Sequence, residues 1–154
     1  AAAGVKVLSV GSRLGLVTGA SGLRMLPDRG ADDLPALDAV IVPGGPGTRA
    51  ALTDSALIGL LGDADCRVVA SVGTGAFLLA EAGRLEGRRV TTHWRFADTL
   101  RSRGGVTVLH DQRVVQDGPV ITGAAGAGVA VGLALVDSLL GPTVAAGLER
   151  DLGG

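Results

Sequence analysis

The stretch Val68–Gly83, VVASVGTGAFLLAEAG, decides the fold of this chain. β-Branched residues near its start predict a buried strand over Arg67–Val72, and the apolar spacing that follows predicts a helix over Gly75–Ala82. A strand that passes through a sharp small-residue turn into a helix is the geometry that holds a reactive residue above the carboxyl end of a parallel sheet. The residue at the apex of the turn is Gly73, which has no side chain to react.

Composition restricts the class of protein. The chain has 154 residues, 47% of them hydrophobic and 19% charged, which is enough for one domain with a substantial core. A net charge of −1 and an aromatic content of 2% argue against a nucleic-acid surface. Cys66 is the only cysteine, so a disulfide within the chain is excluded and a metal site is not expected. With no membrane-length apolar run and no signal-peptide pattern, we expect a single cytoplasmic domain over residues 1–154 that makes no membrane contact.

Predicted strands and helices alternate along the rest of the chain. The predicted strands are Val5–Val10, a hairpin of Gly15–Thr18 with Leu23–Leu26, Asp38–Pro43, Gly87–Trp94, Val106–Leu109 and Arg113–Ile121, with Asp117-Gly118 at a turn. The predicted helices are Thr48–Leu61 with Thr53 or Asp54 capping a turn within it, Phe96–Arg103, Gly126–Leu140 and Pro142–Leu152. The alternation, together with unbroken apolar strands, predicts an α/β fold with a mostly parallel sheet covered on both faces.

Three loops follow predicted strands of this sheet: Pro43–Gly47, Gly73–Gly75 and Thr91–Trp94. Because ligands of open α/β sheets bind at the carboxyl ends of the strands, we expect these loops to meet around a pocket. Gly44-Gly45 can aim backbone N–H groups at a carbonyl or an anion, although a plain tight turn is the alternative.

Three blocks of sequence carry a family resemblance. They are VIVPGGPGTRAALTD at residues 40–54, SVGTGAFLLAEAGRLEGRRVTTHW at 71–94 and VVQDGPVITGAAG at 114–126. In this order they resemble the ThiJ/PfpI superfamily, and within it the isonitrile hydratase-like branch and the related sensor domains of AraC-family regulators. The resemblance covers nearly the whole chain. It implies a flavodoxin-like three-layer sandwich, a homodimer, a small-molecule ligand or substrate, and no cofactor.

The resemblance also implies roles for particular residues. The family's cysteine nucleophile falls on Gly73, and its oxyanion-binding backbone N–H groups map to Gly45 and Thr74. His93 would line the pocket beside Trp94. The remaining pocket residues implied are Gly44, Pro46, Gly75 and Thr92.

The chain departs from the family pattern in two places. Glycine cannot supply the thiolate that the family's covalent chemistry requires, and Cys66 lies at the other end of the predicted strand. The family's first strand and helix, with an acidic residue that contacts the cysteine, have no counterpart in residues 1–154. We therefore expect an amino-terminal segment that is deleted, lies outside this sequence or is donated by another chain.

Several interpretations stay open for these residues. Gly73 is explained by engineered removal of the nucleophile, by divergence to a binding-only pocket, or by divergence to chemistry without a nucleophile. It is also explained by a turn that demands positive φ. His93 is the candidate for acid–base work, with a hydrogen-bonded core histidine as the alternative. Trp94 either walls the pocket or packs in the core. Nothing in the spacing of His110, Asp98 and Asp111 ties them to the site.

Two main functional hypotheses follow. The first is a cofactor-free hydratase or lyase in which Gly45 and Thr74 orient the substrate and His93 moves a proton. The second is a non-catalytic ligand-sensing or dimerisation domain of an AraC-type regulator, for which loss of the nucleophile costs nothing and a helix-turn-helix module would follow. A module that keeps the sandwich only for dimerisation is the third possibility, and a filled pocket would favour it.

Overall fold

The fold is given by a computed structural model that describes residues 4–153. The strands are β1 (Val10–Gly11), β2 (Val17–Thr18), β3 (Arg24–Met25), β4 (Arg29–Gly30), β5 (Ala39–Val42), β6 (Val68–Val72), β7 (Arg88–Val90), β8 (Val106–Val108), β9 (Val114–Asp117) and β10 (Val120–Gly123). The helices are α1 (Thr48–Ala51), α2 (Ser55–Asp63), α3 (Gly75–Glu81), α4 (Ala97–Ser102), α5 (Gly128–Leu140) and α6 (Pro142–Asp151), with a 3₁₀ turn at Trp94–Phe96.

The main sheet has the strand order β5-β6-β10-β9. β5, β6 and β10 run parallel, and β9 joins β10 as an antiparallel hairpin. In register, Val69 lies beside Val40 of β5 and Val120 of β10. Shorter pairs form outside this sheet, namely β1 with β4, β2 with β3, and β7 with β8. The prediction of a mostly parallel sheet in an α/β fold is confirmed.

Helices cover both faces of the main sheet, because successive residues of its strands point to opposite sides. Val69 and Val120 point to one face, where Leu61 of α2, Leu79 of α3 and Leu100 of α4 form the larger core. On the opposite face, Val68, Ala70 and Ile121 pack against α5 through Val131, Ala134, Leu135 and Leu139. The three layers form the flavodoxin-like sandwich that the sequence predicted.

The elbow between β6 and α3 forms where it was predicted. Gly73 has a φ of 56°, in the left-handed region that glycine adopts without steric cost. At Gly75 the constraint is space, because a Cβ there would overlap the Val42 carbonyl oxygen and lie 3.0 Å from that of Pro43. The two glycines therefore allow the strand to turn directly into a helix that packs closely on β5.

The predicted helix over Thr48–Leu61 is divided in two. α1 ends at Ala51, and α2 begins after Asp54, whose carboxylate accepts a hydrogen bond from the Leu57 N–H at 3.2 Å. The possibility of a cap inside this segment is therefore confirmed at Asp54, and the single long helix is wrong. An aspartate at this position stops the preceding helix because its side chain satisfies the backbone donors that begin the next one.

Two predicted strands are shorter than expected. Of Val5–Val10 only Val10 is in a strand, since residues 5–9 have no neighbouring strand among the described residues, and Val7 is 74% exposed. β7 ends at Val90 because the Thr91 N–H turns to the Thr122 hydroxyl, at 2.8 Å, instead of continuing a strand ladder. The expected additional strand from outside residues 1–154 stays a prediction. Within residues 4–153, no helix combines the length and apolar character needed to cross a membrane.

Candidate ligand-binding site

A cavity of about 1040 Å³ opens at the carboxyl ends of β5, β6 and β10. All three loops predicted to meet there contribute to it. Its walls are formed by Gly44, Gly45, Pro46, Thr48, Arg49, Leu52, Val72, Gly73, Thr74, Phe77, His93, Phe96, Thr99, Arg103, Ala125 and Gly126. Of the residues predicted for the site, the structure brings together Gly44, Gly45, Pro46, Gly73, Thr74 and His93.

Gly73 forms part of the cavity floor and is held at both ends of its backbone. Its N–H donates to the Gly123 carbonyl oxygen at 2.8 Å, and its carbonyl accepts from the Thr92 hydroxyl at 2.8 Å. A Cβ built at this position would have only the Ala125 Cα within 4 Å, at 4.0 Å. The backbone is therefore fixed, while the space that a side chain would occupy is free.

Beside Gly73, the hydroxyl of Thr74 organises the glycine-rich loop. The Gly45 N–H donates to this hydroxyl at 3.0 Å, and the Thr48 hydroxyl lies 2.9 Å from it. The Gly45 N–H, one of the two predicted oxyanion donors, thus already has an acceptor that a ligand would have to displace. The Thr74 N–H has no acceptor among the described residues, so it is the backbone donor that a ligand can use directly.

His93 lies on the cavity wall at the start of the 3₁₀ turn. Its Nδ1 accepts a hydrogen bond from the Arg95 N–H at 3.2 Å, which requires that Nδ1 carry no proton. The proton of the neutral ring then sits on Nε2, making that nitrogen a donor. Nδ1 is therefore occupied by the backbone, and Nε2 is the ring nitrogen left to hydrogen-bond a ligand.

Three residues predicted for the pocket lie elsewhere. The Trp94 side chain is 68% exposed, with the Arg95 guanidinium 5.2 Å from its ring centre. Thr92 is buried behind the elbow, where its hydroxyl is used by Gly73. Gly75 is buried where α3 meets β5 and does not reach the cavity. Thr92 and Gly75 therefore support the site from below, whereas Trp94 contributes no wall.

Several side chains that line the cavity were not predicted from the sequence. Phe77 of α3 packs edge-on against Phe96, with ring centres 6.4 Å apart. The Arg103 guanidinium lies 5.3 Å from the Phe77 ring centre and pairs with Glu81 at 2.8 Å. Arg49 joins the wall from α1. For Arg49, the only signal in the sequence was its position just after the glycine-rich loop. For Phe77, helical periodicity indicated only a core residue.

The other reactive side chains predicted from the sequence do not line the cavity. Cys66 is partly buried outside the cavity wall, and burial raises the pKa of its thiol, so it is not placed to attack a ligand in the cavity. Asp98 pairs with Arg101, and His110 and Asp111 are exposed at a turn. Within residues 4–153 no three histidine, cysteine or acidic side chains come close enough to hold a metal ion.

A mostly parallel sheet between helical layers, with a cavity over a strand-to-helix elbow, defines a flavodoxin-like α/β protein whose ligand site lies at the carboxyl ends of its strands. Sequence comparison agrees with this class. The family described as DJ-1/PfpI matches residues 1–138, and the chain belongs to that family. The resemblance recognised from the three sequence blocks is confirmed.

Individual relatives show how the family varies. The chain is 38% identical to isonitrile hydratase of Pseudomonas putida over 128 residues, which is 81% of this chain and 55% of that protein. It is 39% identical to the HTH-type transcriptional regulator GbdR of Pseudomonas aeruginosa over 79 residues, 51% of this chain and 22% of the regulator. A THiJ/PfpI family protein from Pseudomonas syringae superposes with a TM-score of 0.83 at 33% identity, covering 92% of this chain and 60% of that structure.

Proposed function

We propose that this chain binds a small organic molecule in the cavity over Gly73 without forming a covalent bond, and that it acts as a ligand-sensing domain. The observation that carries the proposal is the cavity itself. Its floor is a fixed glycine elbow with free space above it, and its size is at the upper end of the range typical for small-molecule sites. Its lining combines apolar side chains, among them Leu52, Phe77 and Phe96, with a few polar groups, as in sites that orient a ligand with few hydrogen bonds.

The same walls offer little chemistry. Among the described residues that line the cavity there is no thiol and no carboxylate, and the Nδ1 of the one histidine already accepts a hydrogen bond from the Arg95 N–H. Activating water for a hydration or elimination needs a general base within hydrogen-bond reach. This favours sensing over the hydratase hypothesis, and the likeness of part of the chain to a transcriptional regulator supports it.

Non-covalent hydratase or lyase activity is the second candidate function. One observation favours it, namely that Thr74 and His93 both line the cavity, where the Thr74 N–H has no acceptor among the described residues and His93 keeps Nε2 for a ligand. A neutral imidazole can polarise a carbonyl or similar group as an electrophile, without titrating. Under this alternative the base would have to come from the substrate or from a group other than the described residues that line the cavity.

Two measurements on one sample separate the candidates. ¹⁵N-labelled protein is titrated with a panel of small organic fragments that includes cyclohexyl isonitrile, while the same tube is followed for N-cyclohexylformamide. We expect saturable shifts of the Thr74 and His93 amide signals by at least one fragment and no formamide. Formamide formation by the unmodified chain would overturn the sensing proposal, and a panel without any shift near the cavity would overturn ligand binding.

A restored thiol provides the positive control for the cavity. In the Cys66→Ser background, Gly73→Cys places a single thiol where the built Cβ meets open space. We expect iodoacetamide to alkylate it fully in the folded state, at a cost in stability of about 1–2 kcal/mol for the left-handed backbone of a non-glycine residue. The matched control is the chain with Gly73 intact and Cys66 present, whose partly buried thiol we expect to react slowly. Protection of the introduced thiol in the folded state would show that the cavity is closed.

A further inference from the structure

The walls of the cavity carry positive charge that no lining residue balances. Two arginines, Arg49 and Arg103, line it, whereas none of the described lining residues is an aspartate or a glutamate. Such one-signed walls concentrate ligands of opposite charge, because the protein around them has a lower dielectric constant than water. The chain as a whole has a net charge of −1, so the bias belongs to the cavity and not to the molecule.

The two arginines differ in how much of their charge is available. Arg103 pairs with Glu81 at 2.8 Å and lies against the Phe77 ring, so its charge is largely offset and its position is fixed. Arg49 has neither an ion pair nor a side-chain hydrogen bond within the described part of the chain. About one unit of positive charge is therefore free to meet a ligand, at the Arg49 side of the cavity.

The other lining residues indicate the chemistry of the rest of the ligand. The apolar part of the lining is formed by Phe77 and Phe96, whose rings pack edge-on, and by Leu52. These groups offer apolar contact and no hydrogen bonds. Besides the two arginines, the lining residues with hydrogen-bonding groups include Thr74, His93, Thr48 and Thr99.

We infer that the ligand is a small organic monocarboxylate, with its carboxylate at Arg49 and an apolar body against Phe77, Phe96 and Leu52. The inference rests on the proposed function and names the ligand class for the same cavity. A guanidinium matches a carboxylate in shape and can donate two parallel hydrogen bonds to it. A phosphate monoester would bring nearly two negative charges to a cavity that has about one to offer.

Matched acid and amide pairs test this inference. Binding of phenylacetate and hexanoate is measured by calorimetry beside phenylacetamide and hexanamide, which keep the apolar body and lose the charge. We expect each acid to bind about tenfold more tightly than its amide, as a charge-assisted hydrogen bond at a partly exposed site provides. Arg49→Gln is expected to abolish that preference and leave the affinity for the amides unchanged.

Control variants separate a local effect from a general one. Arg101→Gln removes an exposed arginine of α4 that does not line the cavity, and we expect it to alter neither affinity. Arg103→Gln is expected to weaken acid binding less than Arg49→Gln, because Glu81 already occupies the Arg103 guanidinium.

The outcomes distinguish this inference from the proposed function. Equal affinity for acids and amides, or shifts near the cavity by neutral fragments while both acids fail, would overturn the carboxylate assignment and leave ligand binding intact. Inorganic phosphate that displaces the acids at lower concentration than it displaces the amides, and binds more tightly than either acid, would also overturn it. If acids, amides and the fragment panel all fail to bind, both proposals are wrong.

Discussion

At Gly73 the backbone has a φ of 56°, and the space over its Cα is open, so the constraint there is conformational and modest. At Gly75 the backbone is helical, and the constraint is steric, since the carbonyl oxygens of Val42 and Pro43 occupy the place of a side chain. A side chain can therefore be accommodated at Gly73 at a modest conformational cost, whereas none fits at Gly75 without a change in the fold. Only Gly73 stands where the family resemblance implies a nucleophile.

Because a Cβ is blocked at Gly75 and has open space at Gly59, we predict opposite effects of the two Gly→Ala substitutions on stability. Gly75→Ala should destabilise the protein by at least about 3 kcal/mol, because strand and helix must separate to admit the methyl group. Gly59→Ala, in exposed α2 with nothing within 4 Å of the added Cβ, should stabilise it by about 0.5–1 kcal/mol through helix propensity. Chemical denaturation of both variants measures the difference. A Gly75→Ala protein as stable as the parent would show that α3 does not pack on β5 as described.

At the scale of single elements, the break between α1 and α2 shows how a local side chain overrides periodicity. The apolar spacing runs through Thr48–Leu61 without interruption, which is why one helix was predicted. Asp54 accepts hydrogen bonds from the backbone of the next turn, and hydrogen bonds to its charged form from Leu57 and Ser12 lower the pKa of its carboxyl group. The carboxylate therefore contributes more to the folded state than to the unfolded chain.

The lowered pKa of Asp54 predicts how the effect of Asp54→Ala depends on pH. Since the folded-state pKa lies below the unfolded one, the contribution is present above the unfolded pKa, about 3.9, and is lost as pH falls through the lower folded value. We expect Asp54→Ala to lower the Tm at pH 7 and to differ less and less from the parent below about pH 4. Asp111→Ala, at an exposed turn, is the control and should leave the Tm unchanged at either pH. A constant Tm difference from pH 7 to pH 3 would contradict the capping role.

The helices and strands whose structure is determined by nearby residues were predicted best. The strand and helix on either side of Gly73 were predicted within one residue at each end, because β-branching, glycines and helical spacing all act within that segment. The strand over Val5–Val10 was not predicted correctly. A strand forms only where a neighbouring strand pairs with it, and that pairing depends on residues far along the chain. In the site, the glycine loops and His93 were found by motif. Arg49, Phe96 and Arg103 belong to no such motif, and only the folded chain brings them to the same cavity.

At the scale of the whole molecule, the main sheet has an uncovered edge. β5 pairs with β6 on one side and with no strand of the described residues on the other. Its backbone donors and acceptors on that side are unpaired, and Ile41 is 46% exposed beside them. Parallel strands are usually buried on both faces, and an open apolar edge promotes association of sheets. We propose that the homodimer expected from the family resemblance forms along this edge.

A charge on the edge strand tests that assembly. Ile41→Lys keeps the strand backbone but places an ammonium group where a second copy would pair, a device by which natural edge strands avoid association. By light scattering we expect the parent chain to have the molar mass of a dimer and the Ile41→Lys variant that of a monomer. The far-ultraviolet circular dichroism spectra of the two proteins should be the same. Leu23→Lys adds the same charge at a residue that is 70% exposed on the β2–β3 hairpin, and it should leave the dimer intact. If Ile41→Lys stays dimeric, the interface lies elsewhere on the molecule.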